Sequence, residues 1–332
     1  MNKSYDRMKQ NERNRTTRRA MLQWSMSAGA ASLAASVISP RAIASDHAQP
    51  VPESAGLTAY CNGQQVLVRL NNSLLGAYRA HNAGKYPYLG SLAGPITGTD
   101  VTTESSLPYP HHRGVWLGCE PLNGNDYWSD GPISTGQIRS VGLKIDRLLP
   151  DSVVFSDSCE WVGSGSNNPC TDERKFTVTV PNERTRLIDV SIRLTAREDL
   201  VIDRAKHSFF ALRAASDISP AYGGNIMNSA GGVGAAATHG KPAAWCSYFG
   251  SRRVRRDVVE GIALMDHPGN PWSPCPWLAR DYGHLSPSPF SFLKKRWTLE
   301  RGGTLDLRYL IVVYAGDPRE GNLKQNYEAW IS

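Results

Sequence analysis

Between Pro108 and Trp128 the chain gathers two imidazoles, a guanidinium, carboxylates and several aromatic rings: Pro108-Tyr109-Pro110-His111-His112-Arg113-Gly114-Val115-Trp116, then Asn123-Gly124-Asn125-Asp126-Tyr127-Trp128. Imidazole exchanges protons near neutral pH, guanidinium neutralises an oxyanion, and a carboxylate serves as a base or orients an imidazole. Titratable groups clustered in this way mark sites, so a functional role is assigned to at least one of His111, His112 and Arg113. Pro108 and Pro110 bias their predecessors to extended backbone. His111 and His112 are therefore expected to enter a strand and point to opposite faces of it, with only one of them turned toward a pocket.

Three further clusters carry the same residue types. Lys206-His207-Ser208-Phe209-Phe210 opens a strand with an imidazole at its mouth. Gly261-Ile262-Ala263-Leu264-Met265-Asp266-His267-Pro268-Gly269-Asn270-Pro271 is an apolar strand that ends in a carboxylate, an imidazole and a turn. Pro276-Trp277-Leu278-Ala279-Arg280-Asp281-Tyr282-Gly283-His284 adds rings, a guanidinium and another imidazole. Sugar C–H faces stack on Trp or Tyr, and sugar hydroxyls need several directed donors and acceptors. Trp116, Tyr127, Trp128, Trp272, Trp277 and Tyr282 are candidates for the first role; Arg113, Asp126, Asp266 and Arg280 for the second. Most of the nine tryptophans are assigned to packing.

The elements that must position these groups read as short strands: Gln65–Leu70, Leu74–Arg79, Ile138–Leu148, Ser152–Val162, Lys175–Val180, Arg184–Leu194, Ser208–Arg213, Val258–Met265, Phe292–Leu299 and Leu305–Tyr314. In Leu187-Ile188-Asp189-Val190-Ser191-Ile192-Arg193-Leu194 the apolar residues alternate with polar ones, as in a half-buried antiparallel strand. Helical periodicity is confined to Arg319–Ile331. Gly223–Gly240 reads as a long irregular loop. Strands without intervening helices predict an all-β fold, an antiparallel β-sandwich with few short helices, in one large domain over residues 57–332.

The N-terminus reads as a targeting segment. Arg13, Arg15, Arg18 and Arg19 precede an Ala/Ser/Gly-rich apolar run from Met21 to Ile38 and a small-x-small site at Ala42-Ile43-Ala44. Thr17-Arg18-Arg19-Ala20-Met21-Leu22-Gln23 resembles a twin-arginine export signal. Residues 1–44 are read as this signal and 45–56 as a flexible leader, with the mature protein periplasmic or secreted and not anchored in the membrane. Residues 1–44 hold eight of the 37 Lys and Arg and two of the 30 Asp and Glu, so their removal lowers the formal charge from +7 to +1. The remaining basic residues are dispersed, which argues against nucleic acid as a partner. Cys61, Cys119, Cys159, Cys170, Cys246 and Cys275 permit disulfides in an exported protein, with Cys159 and Cys170 the favoured pair. No CxxC, His-x-His or His-Glu-x-x-His spacing occurs, so no metal or other cofactor is assigned.

His111-His112-Arg113-Gly114-Val115-Trp116, Asn123-Gly124-Asn125-Asp126-Tyr127-Trp128, Lys206-His207, Gly261-Ile262-Ala263 through Asp266-His267-Pro268, Pro276-Trp277 and Arg280-Asp281-Tyr282-Gly283 together resemble the exported "methane oxygenase PmoA" family of unknown function, over about residues 60–315. The resemblance implies a galactose-mutarotase-like supersandwich and carbohydrate chemistry. It implies that His207 is a catalytic acid, that a carboxylate is the base, and that the His111-His112-Arg113 segment binds substrate. Asp266, at a strand end, is chosen as the base, with Asp126 and Glu120 as competitors. Asp126, Trp128, His267, Trp277, Arg280 and Tyr282 complete the expected substrate-binding set. The expected function is acid–base chemistry on a sugar or sugar derivative: hydrolysis, elimination or epimerisation. The alternatives are a non-catalytic carbohydrate-binding module, and a two-histidine, one-carboxylate metalloenzyme drawn from His111, His112, His207, His267 and Asp266.

Overall fold

Alternation of side chains along long strands builds this protein. In Thr185–Ala196, Ile188, Val190, Ile192 and Leu194 are buried while Ser191 and Arg193 between them are exposed, the period of two expected for a strand with one wet face. The computed structural model describes residues 56–332 except 206 and 293–294. The expected export segment and nearly all of the leader lie outside the described residues.

Two large sheets face each other, and every ladder between named strands is antiparallel. The first has eight strands in the order Leu57–Cys61, Gln65–Leu70, Ser73–Arg79, Tyr88–Gly90, Val115–Glu120, His207–Arg213, His284–Pro287 and Trp277–Ala279. The second has nine. Its path runs Asn225–Asn228, Trp245–Arg252, Arg255–Asp266, Thr304–Ala315, Thr185–Ala196, Cys170–Asn182, Ser152–Gly163 and Gly136–Ser140, with Lys144–Leu149 also paired to Ser152–Gly163. The all-β antiparallel sandwich expected from the sequence is the observed fold. Aromatic rings join the two sheets: Tyr78 lies 5.0 Å from Phe176 and 5.6 Å from Phe155, and Phe210 stacks on Tyr309 at 4.6 Å with the planes 2° apart. One polar tie crosses the same core. The Tyr78 hydroxyl donates to buried Asp157 at 2.8 Å, and so does the Ser140 hydroxyl at 2.6 Å.

Several local expectations change. The segment Ile138–Leu148 is two strands, because the chain breaks pairing at 141–143 before resuming along the same neighbour. Phe292–Leu299 is not one strand; a helical turn at Pro289–Phe292 precedes a short strand at Trp297–Leu299. The glycine-rich stretch 223–240 contains a strand, Asn225–Asn228, and a helical turn, Ala235–Thr238. The C-terminal helix spans Leu323–Ile331, with Leu323, Tyr327 and Trp330 packed against Trp245, Met265, Leu310 and Tyr314 on the outer face of the nine-stranded sheet. Cys159 and Cys170 are both free thiols: they sit on neighbouring strands but oppose Asp172 and Trp161, not each other. No helix among the described residues is long and apolar enough to cross a membrane.

If the ring contacts hold the sheets together, Phe210→Ala should lower stability by about 3–5 kcal/mol in denaturant unfolding. A loss below about 1 kcal/mol would mean that this stack is not a main inter-sheet contact.

Candidate functional site

The ladder between Val115–Glu120 and His207–Arg213 sorts residues between core and site. It pairs His207 with Glu120 and Ala211 with Trp116. Phe210 faces the other sheet, so His207, Ala211 and Arg213 project to the outer face beside Trp116 and Glu120. The next strand pairs His284 with Arg213 and brings its imidazole to the same face.

On that face His207 Nδ1 lies 3.1 Å from Glu120 Oε2, with the His207 ring stacked on Trp128 at 5.1 Å and 13°. His112 lies 6.4 Å from His207, 4.5 Å from His284 and 5.4 Å from Trp116, ring centre to ring centre. His111 sits 4.4 Å from His112. Tyr109 and Tyr282, 5.0 Å apart, close one side, and the Arg213 guanidinium lies 4.5 Å over the Tyr282 ring. The pair expected to diverge on a strand thus converges instead. His111 and His112 are in a turn, with the His112 amide donating to Tyr109 O at 3.1 Å and the Tyr86 hydroxyl to His111 O; the strand begins only at Val115.

Two glycines make this possible. Gly114 (φ 54°) and Gly283 (φ 100°) adopt left-handed backbone, and each accepts a hydrogen bond from the strand between them: Arg213 N to Gly114 O at 2.7 Å and Ala214 N to Gly283 O at 2.8 Å. A Cβ at Gly114 would collide with the Leu89 carbonyl, and one at Gly283 with Ser219 Oγ.

The electrostatics are those of a dry site. Burial holds the fully enclosed His284 well below the usual imidazole range, reinforced by His112, His207, Arg213 and Arg280. Burial also lowers His111, against the pull of Asp130. Tyr282 is pushed up to about 12, by burial and then by Tyr109. Both ring nitrogens of His284 and the indole nitrogens of Trp116 and Trp128 are buried without a hydrogen-bond partner among the described residues, which is rare for structural side chains.

The other expected residues divide. Asp126 supports the wall from below: burial raises its carboxyl, but hydrogen bonds from Lys85 (2.8 Å), Ser129 and the Trp128 amide outweigh it and hold the carboxyl below its ordinary value. Arg113 lines a neighbouring cavity of about 390 Å³ with His111, Lys85 and Asp130. Arg280 lines another of about 360 Å³, 3.2 Å from His239. Trp277 is fully buried and donates to Ala243 O at 2.8 Å, so it is a packing residue. Asp266 ends a strand of the opposite sheet, where it accepts from Asn270 Nδ2 at 2.7 Å and Cys275 N at 3.1 Å and ties a turn together. His267 follows it there, its ring edge against Trp330. The carboxylate beside His207 is therefore Glu120, and Asp266 is not part of this cluster. Arg213 was not marked by its sequence surroundings, since it ends an apolar strand like many structural arginines. His284 lay in a recognised cluster, but its convergence with the other imidazoles depends on strand order.

The chain belongs to the DUF6807 family of unknown function. The family model matches residues 65–328. No curated protein matches this DUF6807 chain. Solved structures to which it is similar include heparan sulfate lyase HepC from Pedobacter heparinus (9% identity, 80% of this chain and 36% of that one, TM-score 0.37) and the alpha-galactosidase from Lactobacillus brevis (9%, 78% and 39%, TM-score 0.35). The GalM/aldose epimerase homologue from C. elegans is a third (11%, 79% and 99%, TM-score 0.29). The chain spans 36% and 39% of the first two proteins' lengths.

Two outcomes follow from the geometry of the DUF6807 site. Gly114→Ala should unseat the His111-His112 turn; the two ring resonances should shift in NMR spectra, and an unchanged spectrum would contradict the role given to the glycine. Because His284 stays neutral when folded, the unfolded chain alone takes up a proton there as pH falls below about 6.5, so that stability is full above this pH and declines below it. The contribution is about 1.4 kcal/mol per pH unit. Unfolding of wild type and His284→Gln at pH 7 and 5.5 should show the shallower loss in the variant; equal slopes would mean that His284 protonates in the folded state.

Proposed function

We propose that this protein acts on a carbohydrate or sugar derivative by general acid–base chemistry, with His207 moving the proton and Glu120 holding its ring. The observation that carries this reading is the 3.1 Å His207–Glu120 contact at a position still open to solvent, the two side chains being 14% and 38% exposed. A carboxylate on Nδ1 selects the tautomer and leaves Nε2 for the substrate, the arrangement of an activated base. Trp116 and Trp128 are fully buried and serve as surfaces on which imidazoles stack, so half-exposed Tyr109, with Tyr282 beside it, is left to receive a sugar face.

The surroundings favour proton abstraction next to a carbonyl over hydrolysis. Two-carboxylate hydrolysis needs a second free carboxyl flanking the scissile bond. Asp126 is occupied by Lys85 and Ser129, and the groups nearest His207 are Glu120, Trp128, His112 and His284. Imidazole as base, with buried N–H donors and a guanidinium to stabilise developing negative charge, suits epimerisation or β-elimination. The oxygenase reading that the PmoA family name suggests needs a metal-binding set. Among the described residues no group of three His, Cys, Asp or Glu side chains is gathered to hold a metal ion, and His267 and Asp266 belong to the other sheet. With residues 1–44 read as an export signal, the substrate is one met in the periplasm or outside the cell.

The test is a product screen of residues 45–332 against oligosaccharides, uronates and keto sugars by mass spectrometry. His207→Ala and Glu120→Gln should each lower kcat by about 10²–10⁴-fold, while Asp266→Asn should leave kcat within a few-fold of wild type. Turnover that survives His207→Ala would refute the assignment, and binding without turnover in any variant would make the protein a carbohydrate-binding module.

A further inference from the structure

Four arginines are buried among the described residues: Arg174, Arg186, Arg213 and Arg252. Three have what a buried guanidinium needs. Arg174 pairs with Asp172 at 2.6 Å; Arg252, whose Nε and Nη1 also lack a hydrogen-bond partner among the described residues, still lies 3.4 Å from Glu260 and 3.5 Å from Asp217 and donates from Nη2 to Thr99 Oγ1 at 2.9 Å and Asp100 O at 2.7 Å; and Arg186 donates to the carbonyls of Asn182, Glu183 and Thr185. Arg213 does not. It is 2% exposed, and among the described residues its Nε and Nη1 have no hydrogen-bond partner and its Nη2 makes a single long bond, 3.4 Å, to Leu107 O.

The groups that surround Arg213 electrostatically are Tyr282, Tyr248, Tyr222 and Tyr109, and no Asp or Glu among the described residues pairs with it. An unpaired buried cation is among the costlier features a fold can carry, and structural ones are matched by a carboxylate or by several carbonyls. Two donors of its fork are unmatched among the described residues, and the fork suits a planar or tetrahedral oxyanion. Beside it, His284 is a cross-strand neighbour with both ring nitrogens unpartnered. His284 lies 6.2 Å from His207, ring centre to ring centre, a separation that one monosaccharide spans.

We propose that the sugar bound at this site carries an anionic substituent, a carboxylate or a sulfate ester, that seats on Arg213 and His284 while the reacting carbon faces His207. The proposal rests on the carbohydrate reading above and names its substrate class. The anion replaces the long Leu107 bond and supplies the counter-charge that the described residues do not. A uronate carboxylate so placed is neutralised beside its own C5–H bond. His207 takes the C5 proton, and in elimination the freed electron pair forms the C4–C5 double bond as the C4–O bond breaks and the departing oxygen takes up the proton from His207. In epimerisation the carbanion takes a proton from solvent on its opposite face.

The experiment is calorimetric titration of galacturonate, galactose 6-sulfate and galactose into residues 45–332, as wild type and as Arg213→Met, with thermal unfolding of both proteins alone. Wild type should bind at least one anionic sugar about tenfold or more tighter than galactose, Arg213→Met should lose that preference, and the sugar-free variant should melt no lower than wild type. Which anionic sugar wins separates carboxylate from sulfate. Galactose bound as tightly as both anionic sugars by wild type overturns the proposal, as does a preference retained in Arg213→Met. If that variant does not fold, Arg213→Gln takes its place, and the wild-type comparison can still refute the proposal alone. Because the readout is binding, an anion preference without turnover would sink the catalytic reading and leave the anion seat standing. Turnover of neutral sugars with no anion preference would do the reverse.

Discussion

One antiparallel ladder, Val115–Glu120 against His207–Arg213, is the constraint on which the rest depends. Its pleat sends Phe210 into the ring stack that joins the sheets and His207 and Arg213 to the opposite face. Because the period is two, a slip of one residue would exchange the two sets, burying a charged arginine in the core and placing Phe210 outside. Packing of the core and alignment of the site are therefore enforced by the same register. The glycines at 114 and 283 extend that control beyond the strands, since each lets its segment approach the Arg213–Ala214 backbone closely enough to be hydrogen-bonded by it.

The two faces of the eight-stranded sheet treat polar groups differently. Toward the core, Tyr78 of this sheet and Ser140 of the facing one converge on Asp157, and in the facing sheet Asp172 holds Arg174 and the Trp161 indole, while the Tyr127 hydroxyl has no partner among the described residues. On the outer face His284, Trp116, Trp128 and Arg213 keep buried donors or acceptors unmatched. Stability alone would favour apolar residues there, and these unmatched groups are the ones that the proposed sugar would engage. The neutral state of His284 follows from the same dryness, because charging it would add a second unpaired cation beside Arg213.

Much of this was legible from residue order. Strand identity followed from alternation, as in Leu187–Leu194, and the segments bearing His111, His112, Trp128, His207 and Tyr282 advertised themselves by packing chemistry between turn residues. What was not legible depends on strand order. Asp266 and Glu120 are each carboxylates at a strand end, and only the topology places Glu120 next to His207 and Asp266 in the opposite sheet. Trp277 resembled a sugar platform because its neighbours are polar, yet its indole is spent on Ala243 O in the interior. The divergence expected of His111 and His112 failed because the turn that ends in Gly114 delays the strand to Val115. Arg213 had no local mark at all; it stands out only because no carboxylate among the described residues pairs with it.

The central claim is that the outer face of the eight-stranded sheet is where a sugar binds. The most direct measurement is long-range ¹H–¹⁵N NMR of the histidine rings with and without excess galacturonate, resonances being assigned by single substitution. The account predicts shifts at His207, His284 and His112 with His267, on the other sheet, unmoved. Shifts confined to His267, or none at any imidazole, would contradict it.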